Sequence, residues 1–356
     1  MAYSTITKPS LHFNTKLYTG TGSSSAKTGV GFQPDWVWIK QRSGTEAHVL
    51  FDVLRTPAYR IYSNYQSAQT NSGSSTRLVS FDSDGFTEGG DGMTGGNNAT
   101  YASWNWKGGG SGSANTDGTI NSTVSANTTS GFSIVKYSGT GSNGTVGHGL
   151  GAAPKVVLVK NLGQATDWYM YHEIIGNTKS ILLNSTNGQT SAYSDNWNNT
   201  SPTTTTFSVG TSGAINSSIA DHIAYCFAEK KGYSKFGYYE GNSSTNGRFV
   251  YLGFKPAFLL LKKYTASGQQ WYIYDSKRDG KNQGDGASGG NRSLRPNTTS
   301  AEEQASGYPM DILSNGFKWR GSSTEQNSSG QSYIYLAFAE EPLVANVGAS
   351  IPATAR

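Results

Sequence analysis

A single cysteine, Cys226, occurs in the 356 residues of the chain, which excludes an intramolecular disulfide and a thiolate zinc site. It lies within the apolar run HIAYCFAE, the setting of a buried free thiol rather than a nucleophile. Charge is also scarce. Asp, Glu, Lys and Arg make up 14% of the residues, against roughly 25% in an ordinary soluble domain. The surplus of 28 basic over 23 acidic residues is spread along the chain. No run resembles a nucleic-acid arm, so this charge is read as solubility charge and no nucleic-acid partner is expected. No apolar segment approaches about 18 residues, so membrane insertion is not expected. The start, MAYSTITKPSLHFN, lacks the basic-then-apolar layout of a signal peptide, and the expectation is a soluble chain made without cleavage. Helical periodicity is nearly missing as well, with one weak signal at SAEEQA (Ser300–Ala305).

What is abundant is glycine, at 45 residues, together with Ser, Thr and Asn. Aromatics at 12% and repeated Val, Ile and Leu runs argue for ordered cores under a hydroxyl- and amide-rich surface, against disorder. One stretch is written three times: GFQPDWVWIK (Gly31–Lys40), GAAPKVVLVK (Gly151–Lys160) and GFKPAFLLLK (Gly253–Lys262). Each has a glycine, a proline three places on, an apolar pentapeptide and a closing lysine. Such runs read as strands buried on both faces. The spacing from Pro34 to Trp106 nearly equals that from Pro154 to Phe227, and Pro256 to Phe338 is nine residues longer, the excess falling in the loop insertion Lys281–Gly290. Between these anchors the same order recurs: Phe51, Tyr171 and Tyr274 before Asp52, His172 and Asp275, then Asn64, Asn184 and Asn297, then Phe86, Phe207 and Phe317.

The repeat divides the chain into an arm (1–15), module one (16–107), a linker (108–130), module two (131–231), module three (232–341) and a tail (342–356). GGGSGSA opens the linker and marks it as flexible by composition. Five to eight short strands per module, with Gly, Asn and Ser turns, predict an all-β chain of three tandem antiparallel β-sandwich or jelly-roll modules. A period near 100 residues is too long for a solenoid, so the modules are expected as separate domains in a row, with the arm extended and free to pack on a neighbour.

The motifs that carry chemistry weigh against an enzyme. GTGSNG (Gly139–Gly144) matches a dinucleotide fingerprint but is not followed by a helix, so a hairpin turn is the expectation. GASGG (Gly286–Gly290) matches a nucleophile elbow without the strand and helix that expose its serine. His12, His48, His148, His172 and His222 show no metal-ligand spacing. Asp82 and Asp84 begin a calcium-like turn whose remaining ligands are missing, so a structural turn is expected there. Asp52 and Asp275 share a position filled by His172 in module two, the behaviour of scaffold rather than of a glycosidase pair. No catalytic residue, cofactor or metal is assigned. Exposed aromatics remain as candidate glycan contacts, because flat rings stack on sugar faces: Tyr59, Tyr62 and Tyr65, with Trp197 and Trp319 in turn-rich stretches.

GFQPDWVWIK, FDSDGFTEG, YASWNWK, GHGLGAAPK, HIAYCFAEKKGYSKFGYYEGN and GFKPAFLLLKK together resemble a group of structural proteins of marine tailed phages, labelled tail-fibre or uncharacterised virion proteins. The resemblance runs from about Lys16 to Glu341. It implies a virion component built of concanavalin-like or jelly-roll sandwiches, with no catalytic residues to carry over and no stated place on the virion. The expectation built on it is a non-enzymatic, tail-associated surface protein that contacts other virion proteins and host-surface glycans. Capsid decoration is the alternative it leaves open, and a polysaccharide depolymerase the second. A closed homo-oligomer, a trimer among the options, is the expected assembly.

Overall fold

The computed structural model describes residues 4–71, 73, 75–191, 195–278, 282, 291–304 and 308–342. The tail beyond Pro342, and the insertion at Lys281–Gly290 with its GASGG motif, fall outside the described residues, Asn282 excepted. Module one holds β1 (Phe13–Thr19), β2 (Ser25–Thr28), β3 (Trp36–Gln41), β4 (Val49–Asp52), β5 (Tyr59–Tyr62), β6 (Thr70–Asn71), β7 (Leu78–Asp82), β8 (Gly85–Glu88) and β9 (Thr100–Trp106). The linker and module two hold β10 (Ser113–Asn115), β11 (Ser122–Asn127), β12 (Phe132–Ser138), β13 (Gly144–Gly147), β14 (Val156–Asn161), β15 (Tyr169–His172), β16 (Ile181–Leu182), β17 (Thr206–Val209) and β18 (Asp221–Phe227). Module three holds β19 (Ser234–Glu240), β20 (Phe249–Tyr251), β21 (Phe254–Lys263), β22 (Trp271–Asp275), β23 (Arg292–Ser293), β24 (Glu303–Gln304), β25 (Met310–Leu313), β26 (Gly316–Trp319) and β27 (Ser332–Pro342). Every strand pair within the sheets is antiparallel.

The same plan is laid down three times. A main sheet carries the repeated strand beside the module's last strand, in the orders β1-β9-β3-β4-β5-β6, β10-β11-β12-β18-β14-β15-β16 and β19-β27-β21-β22. A smaller sheet covers one face of each: β2-β8-β7, β13-β17 and β20-β26-β25. The anchors align in register, Trp36 opposite Trp106, Val156 opposite Phe227 and Phe258 opposite Phe338.

The repeated strand is apolar throughout because both its faces are covered. Alternate residues point to opposite sides, so Val37 and Ile39 enter module one's own sandwich core with Val49, Phe51, Leu78, Phe86 and Tyr101. Trp36 and Trp38 enter a second core shared with Val156, Leu158, Phe227, Phe258, Leu260, Leu336 and Phe338. The inner faces of all three main sheets therefore close on one another. This corrects the expectation of separate domains in a row, and its cause is visible in the stacking. Trp36 lies 4.3 Å, centroid to centroid, from both Trp106 in its own module and Tyr225 in module two. Phe258 lies 5.5 Å from Trp106 across the opposite junction. No module could expose this face to water without losing several aromatic burials, each worth about 1.5–3 kcal/mol.

The motif glycine earns its recurrence through backbone geometry: Gly31, Gly151 and Gly253 all have positive φ, at 92°, 66° and 81°. Pro34 and Pro154 precede their strands by two residues, whereas Pro256 sits inside β21 at a register shift, a position where a missing N–H is tolerated.

Four further expectations are corrected. The linker is ordered: β11 pairs along β12, β10 pairs along β11, and Ile120 bridges to Val146. The arm is pinned, with Ile6 and Phe13 in the shared core and a 3-10 turn at Pro9–Leu11. Within the stretch at 300–304, Glu303–Gln304 pairs with β23 as β24 and no helix forms, and the one α-helical turn among the described residues is Gly213–Asn216. Gly139–Gly144 carries the chain from β12 to β13 in the other layer, so it is a crossover rather than a hairpin.

Candidate functional site

The chemistry-bearing side chains gather at the three junctions between modules. At the position shared by Asp52, His172 and Asp275, each side chain first caps its own turn. Asp52 Oδ1 accepts the Leu54 amide at 3.1 Å, His172 Nδ1 the Ile174 amide at 3.2 Å and Asp275 Oδ1 the Lys277 amide at 3.1 Å. Each aspartate then pairs with the arginine three residues on, Arg55 at 2.7 Å and Arg278 at 2.5 Å, in surroundings almost wholly buried. The second carboxylate oxygen reaches the next module: Tyr225 Oη donates to Asp52 at 2.7 Å and Trp104 Nε1 to Asp275 at 3.0 Å. Glu302 extends the latter cluster, bonding Arg278 at 3.2 Å and Arg42 through two contacts at 2.8 and 2.9 Å.

His172 breaks the pattern. Position 175 is isoleucine, and β27 places Leu336 where the other modules have Trp104 and Tyr225. Burial pushes the His172 imidazole down to about 4, with the Tyr335 main chain opposing, so the ring is neutral at physiological pH.

A second ring of contacts runs the opposite way around. Trp168 Nε1 donates to the Tyr62 carbonyl at 2.7 Å, and Trp271 Nε1 to the Leu182 carbonyl at 2.9 Å. His48 occupies the equivalent place in module one, its proton affinity lowered by burial and by Lys40 and Arg278. The recurring asparagines hold this register: Asn64, Asn184 and Asn297 accept the amides of His48, Trp168 and Trp271 at 3.1, 2.9 and 3.1 Å.

The closing lysines complete each junction. Lys40 shares strand parity with Trp36 and Trp38, so it points inward, is fully buried, and donates to Gln41 O, Gly44 O and, across the junction, Thr299 O at 2.8–3.2 Å. Lys160 bonds Asn161 O and Gln164 O with Gln66 O of module one. Lys262 bonds Gln269 O and, at 3.5 Å, Ser185 O of module two. Burial lowers their affinity for the proton, to about 8, about 8 and about 7. Around Lys40 and Lys160 three carbonyls use the ammonium's three donors.

The sequence-derived candidates are scattered by the fold. Tyr62 is 8% exposed, its ring 5.5 Å from Tyr65 and its hydroxyl bonded by Arg60 Nε. Tyr65 is 44% exposed and Tyr59 half-buried. The stretch that follows them is junction material, since Gln69 N donates to Leu162 O and Gln66 carries the Lys160 contact. Trp197 and Trp319 are core residues and offer no ring to solvent, a correction of the exposed reading. Trp197 Nε1 donates to Ser180 Oγ at 3.0 Å, and Trp319 packs on Tyr274. The Asp82–Gly85 turn is a hairpin tip whose Asp84 carboxylate accepts the Gly29 and Gly31 amides at 2.9 and 2.6 Å, bonds that lower its proton affinity. Among the described residues no group of three or more His, Cys, Asp or Glu could hold a metal, and burial raises the Cys226 thiol far above its usual value.

These clusters are spent on contacts between modules, and a family now attaches to them. A family model described as a domain of unknown function, DUF7483, matches residues 8–342. The chain belongs to that family. The match spans all three modules and the arm from Lys8, so the family's unit is the fused body and not the single repeat. No curated protein and no solved structure matches the chain.

Proposed function

We propose that the protein is a non-enzymatic surface component of a bacteriophage virion, tail-associated, that contacts other virion subunits and host-surface glycans through the outer faces of its modules. The observation that carries this reading is the shared core with its three locked junctions. It makes one stiff body that displays three outer faces of different sequence, a form suited to holding surfaces apart and in register. The likeness of the repeated motifs to tailed-phage virion proteins supports the same reading. The cycle of contacts that joins three like modules within one chain also favours a second reading, decoration of a capsid shell, since one copy presents three related outer faces to neighbouring subunits.

Immunogold labelling of particles tests the location: gold on the tail is expected, and particles without label would overturn the proposal. Copy number separates the two readings, a few per particle for a tail component and tens to hundreds for decoration. Incubation with host envelope polysaccharide is expected to release no reducing ends, and their release would overturn the non-enzymatic assignment.

A further inference from the structure

The outer face of module three differs from those of its siblings. On β20 two large rings point to solvent, Phe249 at 43% and Tyr251 at 48% exposure, while Val250 between them enters the core. The register makes their counterparts Ala26 and Thr28 in module one and Thr145 and Gly147 in module two. In module two that edge is further covered by the linker, through the Ile120–Val146 bridge and Ser122 Oγ bonded to Gly147 O. Module three follows module two within a few residues, so no linker covers its edge.

The rings are set, not loose. Their centroids lie 6.4 Å apart at 63°, forming a corner and not a flat platform. Gly316, across from Tyr251, leaves room for the Phe249 ring, whose Cε2 lies 3.0 Å from where a Cβ would stand. Lys235 Nζ sits 5.3 Å above the Tyr251 ring, held by a 2.9 Å bond to the Tyr251 carbonyl. Lys318 is the cross-strand neighbour of Phe249. Arg248 and Arg320 flank the face, and the carboxylates beside them, Glu240 at 3.8 Å and Asp311 at 2.5 Å, are directed to those two arginines. Lys235 at the Tyr251 ring, Lys318 across from Phe249, and the flanking Arg248 and Arg320 with their two carboxylates leave this stretch a local positive excess.

We propose that this face binds an acidic polysaccharide, with Phe249 and Tyr251 stacking on sugar rings and Lys235 and Lys318 meeting uronate carboxylates. Aromatic rings supply sequence-tolerant contact with pyranose faces, and the ammonium groups select anionic chains. The inference rests on the glycan-binding part of the proposed function and names its ligand class.

The test is binding of the full chain to polygalacturonate and to neutral dextran by affinity electrophoresis at two salt concentrations. Retardation by polygalacturonate, weakened at high salt, with little effect of dextran is expected. Tyr251→Ala and Phe249→Ala should each weaken it about tenfold, as loss of an aromatic contact of roughly 1–1.5 kcal/mol implies. Lys235→Gln should reduce both binding and its salt dependence. Because the rings are exposed, unfolding temperature should not change, which separates a binding loss from a folding loss. Equal retardation by dextran, no retardation by either polymer, or loss through Tyr65→Ala instead of the module-three variants would each overturn the assignment. None of these outcomes bears on virion location, which immunogold labelling decides separately.

Discussion

At two of the three junctions a donor from the next module bonds to a buried ion pair and at the third it does not, and the difference separates the two jobs done at one position. Asp52 and Asp275 cap a turn and also anchor an arginine and a hydrogen-bond donor from the next module. His172 keeps the cap but has no arginine three residues on, and β27 carries Leu336 at the register position of Tyr225 and Trp104, with the Tyr335 main chain beside the ring. Capping is thus common to all three modules, while the ionic lock is particular to two. A buried pair gains little over a well-packed apolar contact, but removing one partner is costly because the other is left charged in a dry site. The apolar junction lacks that vulnerability and has a different one, since its histidine must stay neutral.

The largest expected effect breaks this comparison directly. Asp52→Asn leaves Arg55 buried without its counter-charge and should destabilise the protein by about 3–5 kcal/mol, whereas His172→Asn, which can still accept the Ile174 amide, should cost about 1 kcal/mol or less. Denaturant unfolding at pH 7 checks both, and equal losses would mean that the buried pair under its junction carries no more weight than the turn cap. Acid is the next lever. The folded-state value of His172, about 4, lies below the ordinary 6.5, so the unfolded chain takes up the proton first as pH falls. Stability is therefore complete above about pH 6.5 and is lost toward pH 4. His222, also near 4 through burial, behaves likewise. Each should remove about 2 kcal/mol between pH 7 and pH 5. His172→Asn should shrink that loss by one histidine's share, and an unchanged pH slope would contradict the buried-neutral assignment.

Much of this was legible in the sequence, and what was missed has a physical reason. The triple repeat, its all-β character, the doubly buried central strand and the register of the recurring Asp/His, Asn and Phe positions follow from local pattern, which strand periodicity carries faithfully. The partner of each inner face does not follow, because an apolar face reads the same whether it meets its own module or another. The signal that could have found the shared core was the parity of the closing lysines. Lys40 lies on the face of Trp36 and Trp38, and a lysine repeated on a face otherwise filled by tryptophan needs a partner from elsewhere, here the carbonyl of Thr299. Gly and Ser composition implies flexibility in the linker, but β11 finds an open sheet edge at β12 and pairs along it. Trp197 and Trp319 are buried although turn-rich sequence surrounds them, because turns at a sandwich edge can fold a large ring back into the core.

Smaller effects sharpen the contrast between junction and surface. Trp168→Phe leaves the buried Tyr62 carbonyl without its indole donor and should cost about 1–2 kcal/mol. Tyr65→Ala removes a side chain 44% exposed and should change stability by no more than about 0.5 kcal/mol. A reversed order in thermal melts would show that the tyrosine stretch carries stability that its contacts do not explain.

The central claim is that three modules share one core and unfold together. Differential scanning calorimetry of the intact chain tests it most directly. The shared core predicts a single transition whose calorimetric and van't Hoff enthalpies agree, and which Asp52→Asn shifts as a whole. Two or three resolved transitions, with Asp52→Asn moving only one of them, would contradict it.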